Sequence, residues 1–149
     1  KNAYTIAMKL KTYDAALGFS QKLYSLNPGS IEFMLPHIRA LIANGKDKEA
    51  EALIAKALAL PDIPRQIKSE VLYLAGLIQT NLNTKIEYLQ SALFENLQNV
   101  EALIAISAAY ENSGDFRKAY RYLKQAAALN PANENVNLKL KELDKLINK

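Results

Sequence analysis

The sequence predicts an all-α chain of stacked helical hairpins, and two observations carry the prediction. The first is self-similarity at a period of about 34 residues. Ala16, Ala50, Lys85 and Ala119 share one register, Leu23, Ala57, Ala92 and Ala126 a second, and Leu26, Leu60, Phe94 and Leu129 a third. The second is composition: half of the residues are hydrophobic, and the bias to Leu, Ala, Ile, Lys and Glu favours helix. A unit this short cannot bury its apolar face alone, so neighbouring units must stack, and the product is a solenoid whose main asset is surface.

The chain opens inside a unit. Ala3, Tyr4 and Ala7 belong to a first helix with no visible start, because Lys1 to Lys9 already read as helix interior. The chain therefore reads as cut from a longer one, with room upstream for a targeting segment. Ala16, Phe19, Leu23 and Leu26 carry the second helix of this partial repeat, residues 1–30, and Asn27-Pro28 closes it. In the repeat 31–64, Ser30 is placed to cap the first helix, whose stripe is Met34, Ile38 and Leu41. Pro36 lies inside that helix and predicts a kink or a delayed start. Asn44-Gly45-Lys46-Asp47 turns the chain into a second stripe of Ala50, Leu53, Ile54, Ala57 and Leu58, closed by Leu60-Pro61.

The repeat 65–99 is irregular. Leu72, Ala75, Gly76 and Gln79 mark its first helix, and Ile86, Leu89, Ala92 and Leu93 its second. The turn, placed at Asn81-Leu82-Asn83, is about three residues short, and the preceding linker Pro61-Asp62-Ile63-Pro64 is correspondingly long. The repeat 100–133 is the most regular. Asn99 caps a helix with Leu103, Ile106, Ala109 and Tyr110 on one stripe. Gly114 suits a left-handed turn and Asp115 the next cap, before Phe116, Ala119, Tyr120, Leu123 and Ala126. Leu129-Asn130-Pro131 ends the unit, and Asn133 caps a final amphipathic helix within 134–149, with Val136, Leu140, Leu143 and Ile147 on its stripe. The whole chain thus reads as one domain.

Composition also removes functions. With no cysteine there is no disulfide, thiolate catalysis or zinc–thiolate site, and the compartment stays open between cytoplasm and periplasm. No apolar run approaches the roughly 18 residues of a membrane span. The net charge of +4 is mild and reads as a solvated surface rather than a nucleic-acid or lipid footprint. His37 is the sole histidine, at an inward-facing slot, and reads as a core residue with no second histidine to share a metal. No nucleophile–base–orienting set and no glycine-rich phosphate loop is suggested. No cofactor and no catalytic residue is therefore expected. Asp14, Glu49 and Glu51 read as wet charges on second helices.

These residues resemble tetratricopeptide repeats. Leu103, Ile106-Ser107, Tyr110, Gly114, Phe116, Ala119, Leu123, Ala126 and Pro131 fall where that pattern wants a large apolar residue, a leucine–small pair, tyrosine, glycine, an aromatic, alanine, an aromatic or leucine, alanine and proline. Met34, Leu41, Gly45, Ala50, Ile54 and Ala57 match in the second unit, which departs at His37-Ile38. Leu72, Ala75-Gly76, Leu89 and Ala92 match in the third, which departs at Lys85. Tyr13, Ala16 and Pro28 match in the first, which carries Ser20 at an aromatic slot. The last helix lacks the pattern, with Lys141 at a small-residue position, and looks like the solvating helix that ends such arrays.

The resemblance implies a right-handed superhelix with first helices lining a concave groove. Groove-facing positions are then Met8 with Thr5 and Lys9, Leu35, Arg39 and Ile42, Tyr73, Leu74, Leu77 and Asn81, and Ile104, Ala105, Ala108, Glu111 and Asn112. Some members of the family hold an acidic chaperone C-terminus with a Lys, Asn and Arg clamp. The matching positions here hold Thr5, Pro36, Glu70 and Leu74, with Lys1 the only candidate donor, so that function is not expected. The apolar set Tyr73, Leu74, Leu77 and Ile104 suits a helix or an extended hydrophobic peptide, although packing against a neighbouring helix explains several of them as well. Glu32, Glu70 and Glu101, near first-helix starts, read either as an acidic rim or as plain dipole pairing.

The expected function is a protein-interaction scaffold that takes a partner peptide or domain, with no nucleic acid and no membrane insertion. Two alternatives accompany it: a regulatory segment of a larger enzyme or of a secretion or assembly complex, and pentatricopeptide-like RNA binding. The second suffers from an apolar groove carrying Glu70 and Glu101, and from basic residues Lys48, Lys56, Arg117, Lys118, Arg121 and Lys124 on second helices.

Overall fold

The computed structural model describes residues 2–149, with side chains from Ala3 onward; Lys1, the candidate clamp donor, lies outside the described residues. Among the described residues there are nine helices and no strand: α1 (Asn2–Lys9), α2 (Tyr13–Leu26), α3 (Ile31–Ala43), α4 (Asp47–Leu58), α5 (Arg65–Leu77), α6 (Leu82–Glu95), α7 (Val100–Asn112), α8 (Phe116–Leu129) and α9 (Glu134–Ile147). This is an all-α helical-repeat fold. Two compact units divide at the junction of Pro64 and Arg65, where one predicted repeat ends and the next begins.

In unit 1, α1 packs on α2, α2 on α3, and α3 on α4. Ala16 and Ala50 are fully buried, because a methyl side chain lets paired helices approach closely, and Met34, Ile38, Leu41, Leu53 and Ile54 fill the space around them. α3 runs from Ile31 with Pro36 inside it, so the helix is not delayed by the proline. Pro36 lies in the second turn, where its missing N–H forfeits one bond, to the Glu32 carbonyl. Ser30 precedes α3 without a side-chain cap. The stripe expected along α2 is only partly buried: Ala16 is covered, whereas Phe19 and Leu26 are exposed.

In unit 2, α5 pairs with α6, α6 with α7, α7 with α8, and α8 with α9. Asn81, Asn99, Asp115 and Asn133 each accept a hydrogen bond from the backbone N–H three residues on, at 3.0–3.2 Å, and so start α6, α7, α8 and α9. Gly114 turns α7 into α8 at φ +85°, as Gly45 turns α3 into α4 at +72°. Ser107 Oγ donates to the Ala119 carbonyl at 2.7 Å, tying the small residue of α7 to the alanine it faces. The solvating helix buries Val136 and Leu143 against α8 and leaves Lys141 exposed.

The irregular repeat resolves as a first helix of the usual 13 residues that is shifted toward the N-terminus relative to its small-residue pair. After Gly76, α5 continues only to Leu77, whereas after Ser107, α7 runs on to Asn112. Gln79 therefore leaves the helix, and the chain turns through 78–81 rather than through Asn81-Leu82-Asn83. Lys85 at the alanine position is accommodated because Gly76 faces it. A Cβ on Gly76 would lie 3.1 Å from Leu89 Cγ and Cδ2 and 3.5 Å from the Lys85 carbonyl oxygen. The Lys85 ammonium extends away from the contact and donates to the Leu77 carbonyl at 3.4 Å, where α5 has orphan acceptors.

Candidate functional site

The first helices of unit 2 form two clefts that share one residue, Ala108. One, about 360 Å³, opens between α5, α6 and α7, with Gly76, Leu77, Leu82, Leu89, Ala105, Ala108 and Ala109 as apolar wall and Gln79, Thr80, Lys85 and Asn112 as polar wall. The other, about 410 Å³, opens between α7, α8 and α9 and is lined by Ile104, Ser107, Ala108, Glu111, Leu123, Asn133, Asn135, Val136 and Lys139. The cleft between α7, α8 and α9 is mainly apolar with polar groups at its edge, whereas the cleft between α5, α6 and α7 mixes apolar and polar walls. Ala108 is exposed where the two clefts meet.

One ion pair dominates the second cleft. Lys139 Nζ lies 2.8 Å from Glu111 Oε1 and 3.3 Å from Glu142 Oε2. The hydrogen bond to the Glu111 carboxylate raises the pKa of the Lys139 ammonium, burial opposes it, and Glu142 adds a smaller upward push. The pair is part-exposed, so it contributes little stability. Its chemical meaning is that one wall offers both an anion and a cation to an incoming chain.

Of the sequence-predicted residues, Leu77, Ile104, Ala105, Ala108, Glu111 and Asn112 come together around these clefts. Leu77 is 37% exposed at the end of α5. Tyr73 is half-buried one turn earlier on the same helix. Leu74 is only 2% exposed and does not face a groove. α5 buries Val71, Leu72, Leu74, Ala75 and Gly76, so packing claims most of its circumference. Asn81 is also reassigned: its side-chain oxygen is used as the α6 cap, 3.0 Å from the Thr84 N–H. Met8, Leu35, Arg39 and Ile42 lie on α1 and α3 of unit 1 and are half-buried. Burial pushes the Tyr4 hydroxyl pKa up, and the nearby Arg39 guanidinium opposes it.

Sequence reasoning missed Asn135 and Lys139. The signal was available in the register: α9 follows α7 at the same period, which puts Lys139 at the position of Ala105. A helix read as a solvating end is, in its placement, the next first helix, and it supplies one wall of a cleft.

Unit 1 holds a smaller cleft, about 230 Å³, lined by Tyr24, His37, Leu41, Glu49, Ala52, Leu53 and Lys56. Serine, histidine and glutamate near one another invite a catalytic reading, and the burial of Ser20 and His37 argues against it. Ser20 is fully buried and donates its proton to the Leu17 carbonyl at 3.0 Å. Ser20 Oγ also lies 2.9 Å from His37 Nδ1, a buried contact that ties the two side chains together. His37 is 5% exposed and stacks on Tyr24 with centroids 5.2 Å apart. Burial pulls its pKa below the ordinary value, against a smaller upward pull from Glu49.

Comparison with known proteins agrees with this architecture. Residues 100–133 match the tetratricopeptide repeat. The fold is similar to that of a thermophilic tetratricopeptide-repeat protein of Thermus thermophilus, with TM-score 0.72 and 22% identity over 98% of this chain and 81% of that one. It is also similar to MamA residues 41 to the end from Desulfovibrio magneticus, with TM-score 0.67 and 15% identity over 99% and 82%. A further MamA structure gives TM-score 0.70 and 16% identity over 97% and 78%. Comparison with curated protein sequences gives no match. The chain therefore contains a tetratricopeptide repeat and has the fold of tetratricopeptide-repeat proteins.

Proposed function

We propose that this chain is a protein-interaction scaffold, and that a partner polypeptide lies on the first-helix face of unit 2, across the two clefts that meet at Ala108. The observation that carries the reading is a pair of adjacent clefts on one face, one mainly apolar and the other of mixed lining, that share Ala108. Apolar side chains of the partner enter the clefts, and Asn112 and Asn135 offer amides to its backbone. Glu111 and Lys139 fix its orientation through charge. Met8, Leu35, Arg39 and Ile42 are proposed as contacts of unit 1.

Two features support this reading over its rivals. The residues matched to a carboxylate clamp include Pro36 in mid-helix and Leu74 in the core, neither of which supplies a cation. The two lysines that line the clefts are engaged within the protein, Lys139 by Glu111 and Glu142 and Lys85 by the Leu77 carbonyl, which does not favour the phosphate contacts an RNA array needs. No described helix is long and apolar enough to cross a membrane.

The test begins with a pull-down using the full-length protein, followed by calorimetry on the partner recovered. Leu77→Glu puts a carboxylate into the first cleft in place of an apolar wall and weakens binding at least about tenfold while helicity is unchanged. Unaltered affinity would place the partner elsewhere.

A further inference from the structure

The other face of unit 2, formed by its second helices, carries the largest exposed apolar groups of that unit. Phe94 is 74% exposed and Leu97 75%. They border a cleft of about 340 Å³ between α6 and α8, floored by Leu103 and walled by Gln90, Tyr122 and Gln125. The cleft is built rather than incidental. Arg65 holds Phe94 in place, with its guanidinium 5.6 Å over the ring and a 3.0 Å bond to the Phe94 carbonyl. Tyr122 stacks on Tyr110 at 5.6 Å, and Gln90 donates to the Tyr110 hydroxyl at 3.1 Å. Exposed aromatic and leucine side chains around a preformed cleft mark an interaction site.

Charge identifies what would cover it. α8 carries Arg117, Lys118, Arg121 and Lys124 and no acid. Lys118 is one turn before Tyr122 and Arg121 one turn before Gln125, so both cations adjoin the cleft wall. Among the described residues, Arg117, Arg121 and Lys124 make no ion pair, and all three are exposed. The acid next to Phe94, Glu95, is already taken by Arg65 at 3.0 Å and Lys68 at 3.6 Å. Glu87 lies two turns away on α6. The cleft thus joins the apolar groups Leu93, Phe94, Leu97 and Leu103 to polar walls, with the cations of α8 beside it.

We propose that this second-helix face is a second docking surface, which takes an acidic protein segment bearing an aromatic or branched apolar anchor. The anchor fills the cleft beside Phe94 and Leu97, and its carboxylates run along Arg121, Lys124 and Arg117. A partner on this face leaves the first-helix clefts free, so one unit joins two chains. The surface is independent of the function proposed above.

The experiment uses the full chain and a labelled peptide of Asp and Glu with one central Phe, read by fluorescence anisotropy. The peptide binds, and binding weakens with salt. Replacing its Phe with Ser, or its acids with Asn and Gln, weakens it at least about fivefold, as do Leu97→Ser and the pair Arg121→Glu with Lys124→Glu. These positions are exposed, and circular dichroism confirms that the fold survives. Leu77→Glu leaves peptide binding unchanged, which separates this surface from the first-helix clefts. Equal binding of the Phe-to-Ser peptide, indifference to the charge reversal, or no binding overturns the proposal. So does tighter binding to phosphatidylserine vesicles or to oligouridylate, either of which assigns the face to a membrane or to RNA.

Discussion

Lys11 holds φ at +57° between α1 and α2, the position that Gly45 and Gly114 occupy in later repeats. A left-handed backbone costs a side chain about 1 kcal/mol that glycine does not incur. Lys11→Gly is therefore expected to stabilise the chain by about 1 kcal/mol in urea melts. A loss of stability would mean that the lysine side chain makes contacts outweighing its backbone strain. His37 gives a second residue-scale outcome. Its folded pKa lies below that of the unfolded chain, so below the ordinary value of about 6.5 the unfolded state binds the proton first. Stability present above that pH is lost as pH falls toward the folded pKa. His37→Gln flattens this dependence, and parallel pH profiles for wild type and variant would contradict it. The same residue shows how legibility works at this scale. Ser20 and His37 each read as a departure from the repeat pattern, in different repeats. Folding makes them one hydrogen-bonded pair, and a pairing between two exceptions has no periodic signal.

At the scale of the element, recurrence of small residues made the helical hairpins legible, because Ala16, Ala50, Ala57, Ala92, Ala119 and Ala126 are buried at helix contacts. The boundary between α5 and α6 was less legible. Asn81 and Asn83 are both good turn residues, and only the capping bond to Thr84 selects Asn81. The close approach at Gly76 yields an element-scale prediction. Gly76→Ala gains about 1 kcal/mol of helix propensity. Its Cβ, however, would press on Leu89, which is fully buried and hemmed in. Overpacking of about 1–3 kcal/mol exceeds the gain, so the variant is destabilised. A higher melting temperature for Gly76→Ala would show that Leu89 yields easily. The exposure of Leu26, Phe94 and Leu129 belongs to the same scale. Their shared register was legible, and their burial was not, since all three fall at helix C-termini where no neighbouring helix extends to cover them.

For the whole molecule, the sequence period specifies which helix follows which, and a binding face depends on where each helix stops. Early termination of α5 opens the cleft beside Leu77, and α9 closes the other side of α7 with Lys139. Neither feature is visible to a pattern read one repeat at a time. Ala108, at the meeting of both clefts, is therefore the position on which the proposed function depends most. Ala108→Arg leaves the buried core untouched and occupies both mouths. The decisive measurement is calorimetric titration of Ala108→Arg against the polypeptide recovered with the full-length protein, alongside circular dichroism. The account predicts an unchanged helical spectrum and an affinity reduced at least about tenfold. Wild-type affinity in that variant would contradict it.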